Sequence, residues 1–147
     1  MATRDEDALS ALNTRVAAIV GIWAIYPHNT KGAGLPGPTV GYILETPLGG
    51  PTTPGSIGAA TALREFSRQW QLLLNAPVDS GKSYEAQYGA IEAALHASPI
   101  QIAVGQPDGP ITIMIDDCAM KGPRPATKQC AHVTVPVVIA YRFIASS

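Results

Sequence analysis

The chain has 147 residues, of which 14 % are charged and 46 % apolar, with a formal net charge of -1. That length suits one ordinary domain. The near-neutral charge argues against a general nucleic-acid binder, and no run approaches the ~20 apolar residues of a membrane helix. In chain order, residues 5–20 read as a helix. Leu9, Leu12, Val16, Ile19 and Val20 recur at spacings of three and four, and Asp5, Glu6 and Asp7 suit the positive end of the helix dipole. Gly21 is a natural stop, and Ile22, Trp23, Ile25 and Tyr26 form a short extended run before Pro27. Residues 28–38 are a loop. Residues 39–45 form a short strand with Val40, Tyr42 and Leu44 on one face and Gly41, Ile43 and Glu45 on the other.

Residues 46–58, rich in proline, glycine and threonine, predict a long loop. The segment from Leu63 or Arg64 to Ala76 fits a helix through Phe66, Trp70, Leu73 and Leu74, or a strand through Phe66, Arg68, Trp70, Leu72 and Leu74. Its aromatic and apolar enrichment and the sharp end at Pro77 favour the strand. A second helix follows, capped by Asp79 or Ser80, with Tyr84, Tyr88, Ile91, Ala94 and Leu95 as its apolar stripe before Pro99. Residues 100–104 are a short extended piece and 106–110 a turn. The last strands are 111–118 and 132–143, the second with Val133, Val135, Val137, Ile139, Tyr141 and Phe143 facing one way. Pro136 has no amide proton, which predicts an edge strand or a bulge there. Together the elements predict one α+β domain over residues 1–147: a mainly antiparallel sheet of about four or five strands, two principal helices packed on it, and long loops at about 46–58 and 119–131.

The acidic run at Asp5–Asp7 precedes the apolar stretch 16–26, where a secretory signal would carry positive charge. The chain is therefore expected in a reducing cytoplasm, with Cys118 and Cys130 as free thiols; they flank one loop, so a disulfide across a hairpin is the alternative. The run Asp79–Ser80–Gly81–Lys82–Ser83 ends as a phosphate-binding loop does, but Ala76 stands where that pattern requires glycine. A capped helix start is the simpler reading. Asp116 and Asp117 are adjacent, so regular strand alternation sends them to opposite faces. Cys118, Cys130 and His132 match no compact zinc spacing, and His28 and His96 stand apart. Ser67, Ser83 and Ser98 lie in no nucleophile elbow. No catalytic residue, metal ligand or cofactor site is assigned. Arg64, Arg68, Lys121, Arg124, Lys128 and Arg142 are the basic residues that can converge on one positive surface.

Four segments carry a resemblance to a known family. They are Gly21–Ile22–Trp23–Ala24–Ile25–Tyr26–Pro27; Leu35–Pro36–Gly37–Pro38–Thr39–Val40–Gly41–Tyr42; Arg68–Gln69–Trp70–Gln71–Leu72–Leu73–Leu74; and, after the helix at 84–95, Ala140–Tyr141–Arg142–Phe143. In order and character they resemble the tail terminator, or tail completion, proteins of long-tailed, siphovirus-like bacteriophages. The resemblance implies a non-enzymatic virion subunit, assembled in the host cytoplasm and located at the head-proximal end of the tail. Such subunits form a hexameric ring that caps the tail tube, ends its polymerisation and joins the head connector or neck protein, with genomic DNA passing through the bore. Within that reading Arg64, Arg68, Lys121, Arg124 and Lys128 are the expected partner or DNA-channel residues. The alternatives are another head–tail joining or minor tail protein, a small hydrolase or transferase, and an oligomeric binding module unrelated to phage.

Overall fold

The structure, a computed structural model, describes residues 4–30, 34–37, 40–54, 63–77, 83–105, 109–124 and 132–146. Its framework is the pairing of two long strands, β4 (Leu63–Pro77) and β7 (His132–Ser146), antiparallel along their whole length from Leu63↔Ser146 to Pro77↔His132. Alternation on both strands sends the large apolar side chains to one face. Trp70, Leu72 and Leu74 of β4 lie opposite Ile139, Val137 and Val135 of β7, all fully buried. Phe66 stacks on Phe143 with ring centroids 4.8 Å apart.

Outside this pair, β2 (Tyr42–Gly49) and β3 (Thr52–Pro54) border β4, while β6 (Ile111–Met120) borders β7. β1 (Ile25–Pro27) runs parallel to β2, and β5 (Ile100–Ile102) pairs with the first three residues of β6. The sheet order is β1-β2-β4-β7-β6-β5 with β3 beside β4. The α+β class and the antiparallel character are therefore as the sequence predicts, and the strands among the described residues number seven, against about four or five expected. None of the helices among the described residues is long and apolar enough to cross a membrane.

Helices α1 (Arg4–Ala17) and α2 (Ser83–His96) cover the apolar face. Ala8, Leu12 and Val16, one helical turn apart, are buried on α1, and Ile91 and Leu95 on α2. Arg15 joins the two helices by donating to the carbonyls of Ala94, Ser98 and Pro99 at 2.9, 3.0 and 3.1 Å, which satisfies the exposed carbonyl end of α2. α1 stops three residues before Val20. Its last turn tightens, with Ile19 N bonding Val16 O, and Gly21 takes a positive φ of 82°. Val20, expected on the apolar stripe, is left exposed.

Three other expectations are corrected. Residues 46–54 are mostly strand, because polar side chains do not prevent backbone pairing with β4. Thr46 lies opposite Gln71 in the ladder, Pro47 directs its missing amide away from β4, and the register shifts once before Gly49. Residues 55–58 lie outside the described residues. Pro136 sits in an interior strand, not at an edge. Its carbonyl accepts from Lys121 N at 2.8 Å on the β6 side, so the absent N–H costs no bond to β4. The expected loop at 119–131 begins later than predicted, since β6 runs to Met120 and Arg124 bridges Thr134; residues 125–131 lie outside the described residues.

The connection before β2 depends on Gly41. A Cβ there would stand 2.3 Å from Trp23 Cε2, so the indole lies flat on the glycine backbone. Gln87 of α2 holds the same corner, accepting from Trp23 N and donating to Gly21 O, each at 3.1 Å. Gly41→Ala is expected to destabilise the fold by about 1–3 kcal/mol through overpacking. Urea unfolding followed by tryptophan fluorescence checks this.

Candidate functional site

Four of the five expected contact residues lie among the described residues; Lys128 does not. Arg68 occupies the apolar face of β4 between Phe66 and Trp70, where a guanidinium must be paired to offset its desolvation. Its Nε donates to Asp5 Oδ1 at 2.7 Å, and its Nη2 to Thr52 Oγ1 at 2.6 Å and Asp5 Oδ2 at 3.4 Å. Its Nη1 donates to the carbonyls of Gly50, Pro51 and Ser67 at 2.8, 2.7 and 3.0 Å. The guanidinium also lies 5.2 Å from the Phe66 ring centre. Every N–H of Arg68 thus has an acceptor within the chain. Arg68 clasps the start of α1 and the strap 50–52 to β4. The sequence carries a signal for this: one arginine in an otherwise apolar alternation. It does not show the partners, because Asp5 and residues 50–52 are distant along the chain.

Arg142, on the opposite face, is also paired. Its Nε lies 2.8 Å from both Asp116 oxygens, and its Nη1 is 3.7 Å from Glu65 Oε2. The hydrogen bond to Asp116 raises the guanidinium pKa above its ordinary value. The register of β6 shifts between Ile115 and Asp117, so Asp116 is an inserted residue and turns its carboxylate towards Arg142. Simple alternation therefore does not describe the two aspartates, contrary to expectation.

The other basic residues separate. Arg64 is exposed at the start of β4, opposite Ala145 and beside Pro54. Lys121 and Arg124 are exposed at the other end, where Arg124 exchanges backbone hydrogen bonds of 2.7 and 3.0 Å with Thr134, the partner of Asn75. At about 3.3 Å per strand residue, Arg64 and Arg124 are roughly 35 Å apart. The described residues therefore present two separate cationic positions, not one converged surface. Among them, neither Arg64, Lys121 nor Arg124 forms an ion pair.

Cys118 and His132 do not meet. Cys118 lies opposite Ile139 on the helix-covered face, whereas His132 lies on the other face at the start of β7, its Nε2 2.9 Å from Val40 O and its ring edge-on to Tyr42. Among the described residues, no cluster of three or more His, Cys, Asp or Glu could hold a metal. The P-loop-like residues 79–82 and Cys130 lie outside the described residues. Burial pushes the Cys118 thiol from its ordinary 9.0 to about 11, with repulsion from Glu92 and Asp117 adding to the shift. Tyr88, within hydrogen-bond distance of Glu92 and of the Cys118 carbonyl, is raised to about 12, chiefly by the bond to Glu92.

No known family profile matches the chain, and no curated protein matches it in sequence. A solved structure that carries no descriptive name is similar, with a TM-score of 0.60 and 17 % identity over 97 % of this chain and 96 % of that one. At that identity the likeness is one of fold alone.

Arg68→Gln is expected to lose about 2–3 kcal/mol and to speed amide exchange in residues 50–54. Asp5→Asn, which leaves the carbonyl acceptors in place, is expected to lose about 1 kcal/mol. Thermal melts with residue-resolved exchange read both. The raised thiol sets a pH dependence. The unfolded thiol ionises near 9 while the folded one keeps its proton to about 11, so stability is full below pH 9 and falls as pH rises through that window. Urea midpoints between pH 7 and 11 should show that fall, with a shallower slope in Cys118→Ala.

Proposed function

We propose that this chain is a ring-forming tail terminator subunit, which caps a phage tail tube, stops its growth and presents a surface to the head connector. The observation that carries the reading is how the four family-like segments lie together in the fold. Trp23 of the first packs on Gly41 of the second, and β1 pairs with β2 from Ile25↔Ile43 to Pro27↔Glu45. The third segment lies beside β2 on one side and beside the fourth on the other, with Arg68 opposite Tyr141. Parts of all four segments thus adjoin, through β1, Tyr42, residues 68–74 and residues 140–143 of the sheet and the contact of Trp23 with Gly41, as expected if they belong to a common scaffold. A terminator acts through complementary shape rather than a chemical step, and closed cyclic symmetry gives a small domain a defined assembly size.

In this reading the two separated cationic positions serve different contacts. Lys121 and Arg124, at one end of the long ribbon, are exposed for an acidic partner or the genome, and Arg64 is exposed at the other. Arg68 supports the scaffold from within. Partners are further copies of the chain in a hexamer, the tube protein, the neck protein and DNA in the bore.

Electron microscopy of the protein alone and with tail tubes is expected to show six-fold rings at the head-proximal tube end only. Depletion during assembly is expected to give tails of uncontrolled length. A stable monomer that never binds tubes would sink the reading, and tails of normal length that merely fail to join heads would assign the chain to a connector instead.

A further inference from the structure

The long ribbon extends beyond its neighbour on one side. β6 pairs with β7 only between Met114↔Arg142 and Met120↔Val137, and its first three residues pair with β5 instead. Residues 143–146 of β7 therefore have β4 on one side and no strand among the described residues on the other. The direction of their backbone groups follows from the hydrogen bonds at the other end of the strand. Thr134 exchanges bonds with Arg124, and the Pro136 carbonyl accepts from Lys121. Even-numbered residues of β7 thus point their N–H and C=O away from β4. Ile144 and Ser146 share that direction, so their backbone groups face the open edge. The Ile144 side chain is 41 % exposed.

Edge strands usually carry a device against pairing with other chains, such as proline or charge. β1 ends in Pro27. β3 follows Pro51 and ends in Pro54, and because Pro51 O bonds Ser67 N, the missing amide of Pro54 falls on the outer side. Residues 143–146 carry neither proline nor charge, and neither does β5. The outer side of β5 opens into a groove of about 520 Å³ walled by Asp7, Ala11 and Thr14 of α1. Among the described residues, one molecule therefore has two edges without proline or charge, at different places on its surface.

We propose that residues 143–146 of one copy add as a strand to the β5 edge of a second copy, continuing the sheet from subunit to subunit. The proposal rests on the ring reading above. Pairing two different edges is heterologous, as a ring of more than two copies requires; β7 pairing with itself would instead make a two-fold dimer. The entering edge carries no charge of its own into the groove beside β5, whereas the guarded edges of β1 and β3 cannot complete a ladder.

Ile144→Pro tests this cleanly. It removes an N–H that faces the open edge and leaves the β4 ladder intact, as Pro136 does in the same strand. The variant is expected to keep its circular dichroism and to self-associate at least tenfold more weakly by sedimentation; unchanged association overturns the proposal. Should the variant fail to fold, amide exchange on the native protein decides. The Ile144 amide is expected to be at least tenfold better protected in the assembly than in dilute monomer, and equal exchange overturns the proposal. Protection appearing only when tail tubes are added also overturns it, in favour of the tube protein as occupant. With Ile144→Cys and Gln101→Cys in one chain, oxidation is expected to link position 144 to position 101 between copies; a 144–144 link instead overturns the β5 assignment. A ring in which the Ile144 amide stays open refutes this edge and spares the ring reading, while absence of any assembly refutes that reading itself.

Discussion

The unbroken ladder between β4 and β7 is the constraint on which the other elements depend. At about 3.3 Å per residue, fifteen paired residues span roughly 50 Å, more than two helices of fourteen residues can cover at about 1.5 Å per residue. The helices therefore cover the ribbon only in part, and short strands border it at different heights: β2 along one half of β4, β3 along the other, β6 beside the middle of β7. The core lies where alternation from β4, β7 and β6 meets Ala8, Leu12, Val16, Ile91 and Leu95. Parts of the ribbon that no described strand reaches keep one backbone edge unpaired among the described residues.

The same geometry decides what each charge can do. Arg68, on the covered face, is desolvated and held by a carboxylate, a hydroxyl and three carbonyls. Arg142, at the end of the β6 pairing and on the other face, is held at its surface by Asp116 and Glu65. Arg64, Lys121 and Arg124 retain solvent access because they fall at the two ends of the ribbon. Charge in this protein is thus sorted by position along and across a single pair of strands. A chain of near-neutral total charge can still present local cations in this way.

Much of this was legible because hydrophobic periodicity reflects burial directly. The alternation through Phe66, Trp70, Leu72 and Leu74 and through Val135, Val137, Ile139, Tyr141 and Phe143 describes a strand with one covered face. The spacing of Leu12 and Val16, and of Ile91 and Leu95, describes helices lying on it. Residues 46–54 were not legible in that way. Their strand conformation comes from backbone pairing with a segment already placed, and side-chain character carries little of that information.

What the sequence determined by itself, then, was the type of each strongly patterned element, the α+β class and the residues of the core, since these follow from local periodicity. Only the tertiary structure decided that Pro136 lies in an interior strand, that Asp116 turns towards Arg142, that Arg68 is a clasp, and that Arg64 is far from Arg124. Each of these depends on register, meaning which residue of one strand lies beside which residue of another. Register arises from contacts between distant parts of the chain, and local preference does not encode it.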